Sequence, residues 1–225
     1  MSRALSDGDK TEVVAWVERQ IGAGSAYARG YQGQVYRFDT PEWRLVIKVA
    51  AGRGPLLWLR RWMLAREARA YERLAGFRGA PQYHGLLRGR YLVLDYVDGV
   101  RMHREHVTQP DAFFPTLLDH IKELHRRGVA HADLKRKDNL LIVDGRAPCL
   151  IDFGAAIVRK PGWHPLNHLL FNLARQFDYN AWVKLKHRYV EQAPAEDLAY
   201  FRMTRIERVA RAIKRAYLRL KAGRR

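Results

Sequence analysis

The 225 residues carry 41 Lys and Arg against 23 Asp and Glu, a formal net charge of +18. With 48% hydrophobic and 11% aromatic residues the chain can bury a core, which excludes a disordered basic tail. One cysteine, Cys149, excludes a disulfide framework and a cysteine-based zinc site. No apolar run reaches the roughly 18 residues that a membrane span needs, and Met1–Lys10 lacks the apolar stretch of a signal peptide. These features predict a cytoplasmic protein whose charge favours anionic partners.

In chain order, the first element is a helix over 9–21, where Val13, Trp16, Val17 and Ile21 recur near the helical period. Strands follow at Ala26–Tyr31, Gln34–Asp39 and Arg44–Ala50, broken by Gly33 and by Thr40-Pro41. A helix over 56–75 ends near Gly76, and strands Tyr83–Leu87 and Tyr91–Val97 are joined around Arg88-Gly89-Arg90. After Asp98-Gly99 the pattern turns helical. Phe114, Leu117, Leu118, Ile121 and Leu124 mark one face of a helix over 111–127, which Gly128 stops. Strands Leu140–Val143 and Pro148–Asp152 meet at Asp144-Gly145. Beyond Pro161 and Pro165 the pattern is helical, ending in a basic helix from about Pro194. The expected class is α+β: a β-rich lobe over 1–97, a hinge near 96–99, and a helical lobe over 98–225.

The charge is uneven. Arg202–Arg225 holds ten Lys and Arg and one acid, Glu207, which is half of the net charge. A second basic stretch, Arg53–Arg73, places Trp58 and Trp62 beside Arg60 and Arg61. If exposed, that mixture suits a membrane interface; if buried, it only leads into the helix behind it.

Several polar residues stand where burial would demand a purpose. Lys48 interrupts the apolar strand Val46-Ile47-Lys48-Val49 and needs an anion, a phosphate or a carboxylate. Glu67, leading the pattern Glu67, Tyr71, Leu74, is the carboxylate candidate, with Glu72 as its competitor. Asp152, at the end of the strand Cys149-Leu150-Ile151, presents two oxygens suited to a hard cation such as Mg²⁺. In His131-Ala132-Asp133-Leu134-Lys135, Asp133 is placed to orient or deprotonate a hydroxyl, and Asn139 before Leu140 is a second metal donor. Gly30-Tyr31-Gln32-Gly33-Gln34-Val35 can fold as a turn over phosphates. His103 and His106, and His164 and His168, have helical spacings but no third ligand.

The order Gly-rich turn, strand Lys, helix Glu, Asp133, Asn139 and Asp152-Phe153-Gly154 resembles the protein-kinase-like phosphotransferases over residues 26–160. The short chain after Asp152, the His-Ala-Asp triplet, and the lack of Ala-Pro-Glu are most similar to the small atypical kinases. These are the lipopolysaccharide (Kdo/heptose) kinases and the RIO-type kinases. The resemblance implies ATP and Mg²⁺ as cofactors, a two-lobed fold and no long activation segment. It implies that Gly30, Gly33, Val35, Lys48 and Glu67 hold phosphates, that Asp95, Tyr96 and Val97 meet adenine, and that Asn139 and Asp152 hold Mg²⁺. Asp133 is the implied catalytic base, and Lys135 neutralises the transferred phosphoryl group. Two departures stand out. Ala28 replaces the first glycine, and the catalytic loop is one residue long, so Asp138 competes with Asn139 as metal ligand.

The resemblance implies transfer to a lipopolysaccharide core sugar or similar glycolipid, with peripheral attachment to the inner membrane. The alternatives are an atypical RIO-like Ser/Thr protein kinase acting on protein in association with RNA, and a pseudokinase binding module. The basic tail has an apolar stripe of Ile206, Val209, Ile213, Tyr217 and Leu220. That stripe fits a packed helix, and the basic face fits membrane, glycolipid or RNA.

Overall fold

The computed structural model describes residues 4–30, 33–187 and 189–203. Helix α1 (Asp7–Ala23) starts at a capping box. Ser6 Oγ accepts from the Asp9 N–H (3.2 Å), and Asp9 Oδ2 accepts from the Ser6 N–H (2.8 Å). Gly24, at φ 70°, ends it.

Strands β1 (Ala28–Gly30), β2 (Gly33–Asp39), β3 (Arg44–Val49), β4 (Tyr83–Leu87) and β5 (Tyr91–Asp95) form one antiparallel sheet in the order β1-β2-β3-β5-β4. Alternation sorts its residues. Tyr36, Phe38, Leu45, Ile47, Val49, Tyr91 and Val93 form a core with Val13, Val14 and Val17 of α1. The intervening residues face the other way, where Leu92 and Leu94 join a second core with Leu64, Ala68 and Tyr71. Those three residues line the inner face of helix α2 (Gly54–Arg73). Lys48 therefore turns toward α2 for the same reason that Ile47 and Val49 turn away from it.

The remaining elements are β6 (Val100–Arg101), α3 (Pro110–Arg126), β7 (Val129–Ala130), β8 (Leu140–Val143), β9 (Ala147–Leu150), β10 (Ile157–Val158), α4 (Pro165–Lys186) and α5 (Ala195–Leu198). β6, β8 and β9 form a small antiparallel sheet, and β7 pairs with β10. Helix α3 buries Phe113, Phe114, Leu117, Leu118, Ile121 and Leu124, and these join Trp182 of α4 in the second core. Phe153 belongs to that same core, so apolar packing is continuous from the large sheet to the helices.

The expected strands and hairpin turns are present. β6, β7 and β10 were not anticipated; each has two residues, too few to show a period. The expected helix from about Pro194 is broken among the described residues. Helix α5 ends at Leu198, and Ala199–Tyr200 turn. The backbone N–H of Arg202 then donates to Asn180 Oδ1 (3.0 Å). Here tertiary bonding to α4 overrides helix propensity. The apolar stripe from Ile206 to Leu220 lies outside the described residues. No helix among the described residues is long and apolar enough to cross a membrane.

Candidate active site

Three elements converge on one ammonium group. Lys48 of β3 donates from Nζ to Glu67 Oε1 of α2 (2.7 Å) and to Asp152 Oδ1 (3.0 Å). Glu67 is fully buried, whereas Asp152 is partly open. Burial opposes the charge on Lys48, but the two carboxylates outweigh it and hold its pKa above the ordinary lysine value. Burial likewise opposes ionisation of Asp152. Lys48, the Gly154 N–H and His131 outweigh that, holding the carboxyl below its usual range. Glu72, the competing carboxylate, is exposed and accepts from the Tyr83 hydroxyl (3.4 Å).

Asp152 sits at φ 63°, ψ 74°, in the left-handed region, which a non-glycine residue adopts only under constraint. The constraint is visible on both sides. Phe153 is buried against Tyr71 and His131, with ring centroids 5.0 and 4.8 Å away. His131 Nε2 also bonds the Ile151 carbonyl (3.0 Å).

The Asp133 loop is built separately. Asn139 Nδ2 donates to the Asp133 carbonyl (3.0 Å) and to Asp133 Oδ2 (3.1 Å), and the Asn139 N–H donates to the Arg136 carbonyl (3.0 Å). Asn139 is buried, and the Ile151 N–H donates to its carbonyl (3.0 Å), linking this loop to the strand that carries Asp152. Asp138 is exposed and pairs with Arg101 (3.2 Å). Its side chain faces β6, while that of Asn139 lies beside Asp133. The extra loop residue is absorbed in a single 3₁₀ turn over Lys137–Asn139. Lys135 is exposed.

Sequence reasoning missed the anchor of this loop. Asp178, in the middle of α4, is completely buried. It accepts from the His131 N–H (2.8 Å), the Ala132 N–H (2.9 Å) and His125 Nε2 (3.0 Å). Its signal was an acid inside the apolar run Phe177-Asp178-Tyr179-Asn180-Ala181-Trp182-Val183.

The expected phosphate-side residues cluster around β2 and β3. Val35 stands opposite Lys48, and Gly30 opposite Gly33, in the ladder. Gly33, at φ 147°, has no room for a side chain, since a Cβ there would meet the Val49 carbonyl oxygen at 2.1 Å. Asp95 ends β5 with its carboxylate on His84 Nε2 (2.6 Å), and the role expected of it concerns its backbone. Tyr96 donates its N–H to the Arg44 carbonyl (2.8 Å) and lies beneath Arg37 and Arg44. Val97 makes no backbone hydrogen bond among the described residues and is half-buried.

The donor set fits Mg²⁺. A carboxylate oxygen of Asp152 and the amide oxygen of Asn139 are hard donors. Among the described residues no group of three or more His, Cys, Asp or Glu could cage an ion. Two protein donors completed by phosphates and water is the usual habit of Mg²⁺.

No family model matches the chain, and no curated protein matches it in sequence. Among solved structures, the chain is similar to one described as the Rio2 kinase-ADP/Mg²⁺-phosphoaspartate complex from Chaetomium thermophilum. The TM-score is 0.54 and the identity 16%, covering 82% of this chain and 65% of that one. At that identity the likeness speaks to fold, and the fold is protein-kinase-like.

Proposed function

We propose that the chain is an ATP- and Mg²⁺-dependent phosphotransferase whose sheet and helical portions act as two lobes around a nucleotide. The bracketing of Lys48 by Glu67 and Asp152, with Asp133 and Asn139 on the adjoining loop, is the observation that carries this reading. Lys48 holds the nucleotide phosphates, oriented by Glu67. Gly30, Gly33 and Val35 cover them, and the backbone at Asp95 and Val97 meets the adenine. Asp133 takes the proton of the acceptor hydroxyl as the new oxygen–phosphorus bond forms and the bond to the departing ADP breaks. Lys135 neutralises charge on the transferred group. Asn139 and Asp152 are the oxygen donors for Mg²⁺, which supplies charge neutralisation on the phosphates when bound.

The acceptor favoured here is an anionic glycolipid, such as a lipopolysaccharide core sugar, at a membrane surface; the +18 charge supports it. A second reading, a RIO-like Ser/Thr protein kinase, is supported by the likeness to the Rio2 structure. Labelled ATP offered with lipopolysaccharide core, protein extract and RNA separates the two. Label in the glycolipid is expected, and label only in protein moves the assignment to the RIO-like reading. Lys48→Met and Asp133→Asn should each lower transfer by about 10²-fold or more. Full transfer by either variant would overturn the enzyme reading.

A further inference from the structure

We propose that the loop before α4, the first turns of α4 and the outer stripe of α2 form a docking face for an anionic phospholipid bilayer. This face lies outside the phosphotransfer site and names the surface that the glycolipid reading requires. Its anchor is Trp163, 88% exposed, followed by Leu166 (68%), Leu169 (65%) and Leu170 (44%). The leucines stand at helical spacing on one side of α4, while Phe171 and Ala174 bury the other side against Ala130.

The loop that carries Trp163 is held in place. The Lys160 N–H donates to Asn167 Oδ1 (2.8 Å), Asn167 Nδ2 donates to the Val158 carbonyl (3.1 Å), and His168 Nε2 bonds the Lys160 carbonyl (3.0 Å). These bonds fix both ends of the loop, so docking has less backbone left to order.

The charge around it selects the partner. From Phe153 to Phe177 there is no Asp or Glu, but there are Arg159, Lys160 and Arg175. At the foot of the loop lies a cavity of 270 Å³, lined by Arg73, Arg159, Lys160 and His168 and by no acid. Arg126 and Arg127 also line it, but both are paired with Glu123. Arg73, Arg159 and Lys160 have no ion-pair partner among the described residues, so the cavity offers three uncompensated cations to a phosphate headgroup.

Helix α2 repeats the pattern. Trp58 (70% exposed), Trp62, Arg66, Arg69 and Arg73 lie along one stripe, and Glu72, the exposed acid of α2, is engaged by Tyr83. Arg66 covers the Trp62 ring (5.0 Å) and donates to the Ala156 carbonyl (3.4 Å), joining this stripe to the segment that leads to Trp163. Exposed indoles among arginines suit the headgroup region, where the ring enters the interface and the guanidinium meets phosphate. A protein partner would instead have to desolvate the unpaired cations at the centre of the contact.

The test uses the full chain and vesicles of phosphatidylcholine, with or without about one-third phosphatidylglycerol. We expect preferential sedimentation with the anionic vesicles, and tryptophan quenching by lipids brominated along the acyl chain. Trp163→Ser combined with Leu166→Ser should lower the partition coefficient roughly tenfold. Arg159→Glu combined with Lys160→Glu should remove the preference for anionic lipid. Binding without bromine quenching and unchanged in the Trp163 variant would overturn the proposal, leaving charge adsorption alone. So would no vesicle binding at all, or self-association that the Trp163 variant abolishes. ATP turnover without vesicles should be unchanged in these variants. Wild-type protein that docks on vesicles but turns over no ATP would sink the kinase reading and leave the docking face standing.

Discussion

A carboxylate removed from water must find donors, and Asp178 finds three. Two of them are the backbone N–H groups of His131 and Ala132, and Ala132 stands at φ 66°. A non-glycine residue in that region stores strain that its surroundings must offset. Asp178 therefore fixes the backbone from which Asp133 projects, without touching the reacting atoms itself. Asp178→Asn keeps the shape but replaces one acceptor oxygen with an N–H₂ that meets a donor. The expected cost is about 2–4 kcal/mol, read as a lower urea midpoint. The proposed phosphate transfer should fall through kcat, with KM for ATP little changed, because Lys48 and Glu67 lie on other elements. A variant as stable as the wild type would mean the bond to Ala132 is not what holds the loop.

At the scale of elements, short-range chemistry decided what could be foreseen. The β4–β5 and β8–β9 hairpins were legible because Arg88-Gly89 and Asp144-Gly145 supply two successive positive φ values, as tight antiparallel turns require. Lys48 and Asp152 were legible as charges on or at the end of apolar strands, and Glu67 by leading the inward pattern Glu67, Tyr71, Leu74. Asp178 carried the same kind of signal in α4, but its partners, like the Arg101–Asp138 pair, depend on which distant strand or loop packs alongside. Period and composition also suggested the helix beyond Pro194, but Asn180 claims the backbone there instead. Strand β9 offers a direct check on burial. Cys149 points into the core, and burial pushes its thiol up to about 12. Thiolate is the reactive form, so the folded chain should resist alkylation at pH 8, while the urea-unfolded chain reacts fully. Rapid labelling of the native protein would show that the β8–β9 edge opens.

Across the whole molecule, the Lys48–Glu67–Asp152 junction joins the large sheet, α2 and the loop after β9. Its contribution to stability should therefore follow the titration of those groups. Asp152 is held below the ordinary carboxylate value, so its contribution is present above that value and is lost as pH falls through the lower folded one. Lys48 is held above the ordinary lysine value, so its contribution is complete below that value and is lost as pH rises through the folded one. Burial holds the Glu67 carboxyl above its ordinary value, and Asp152 adds to that, so Glu67 contributes a slope of its own on the acid side of neutral. The difference in urea midpoint between wild type and Asp152→Asn should be constant from about pH 7 to 9 and should narrow below about pH 4. For Lys48→Met the difference should instead narrow above about pH 10. A penalty for Asp152→Asn that grows toward acid would mean that the folded Asp152 carboxyl titrates above its ordinary value. Burial would then outweigh Lys48 at this site, and the junction would not hold Asp152 as an ion in the way its geometry implies.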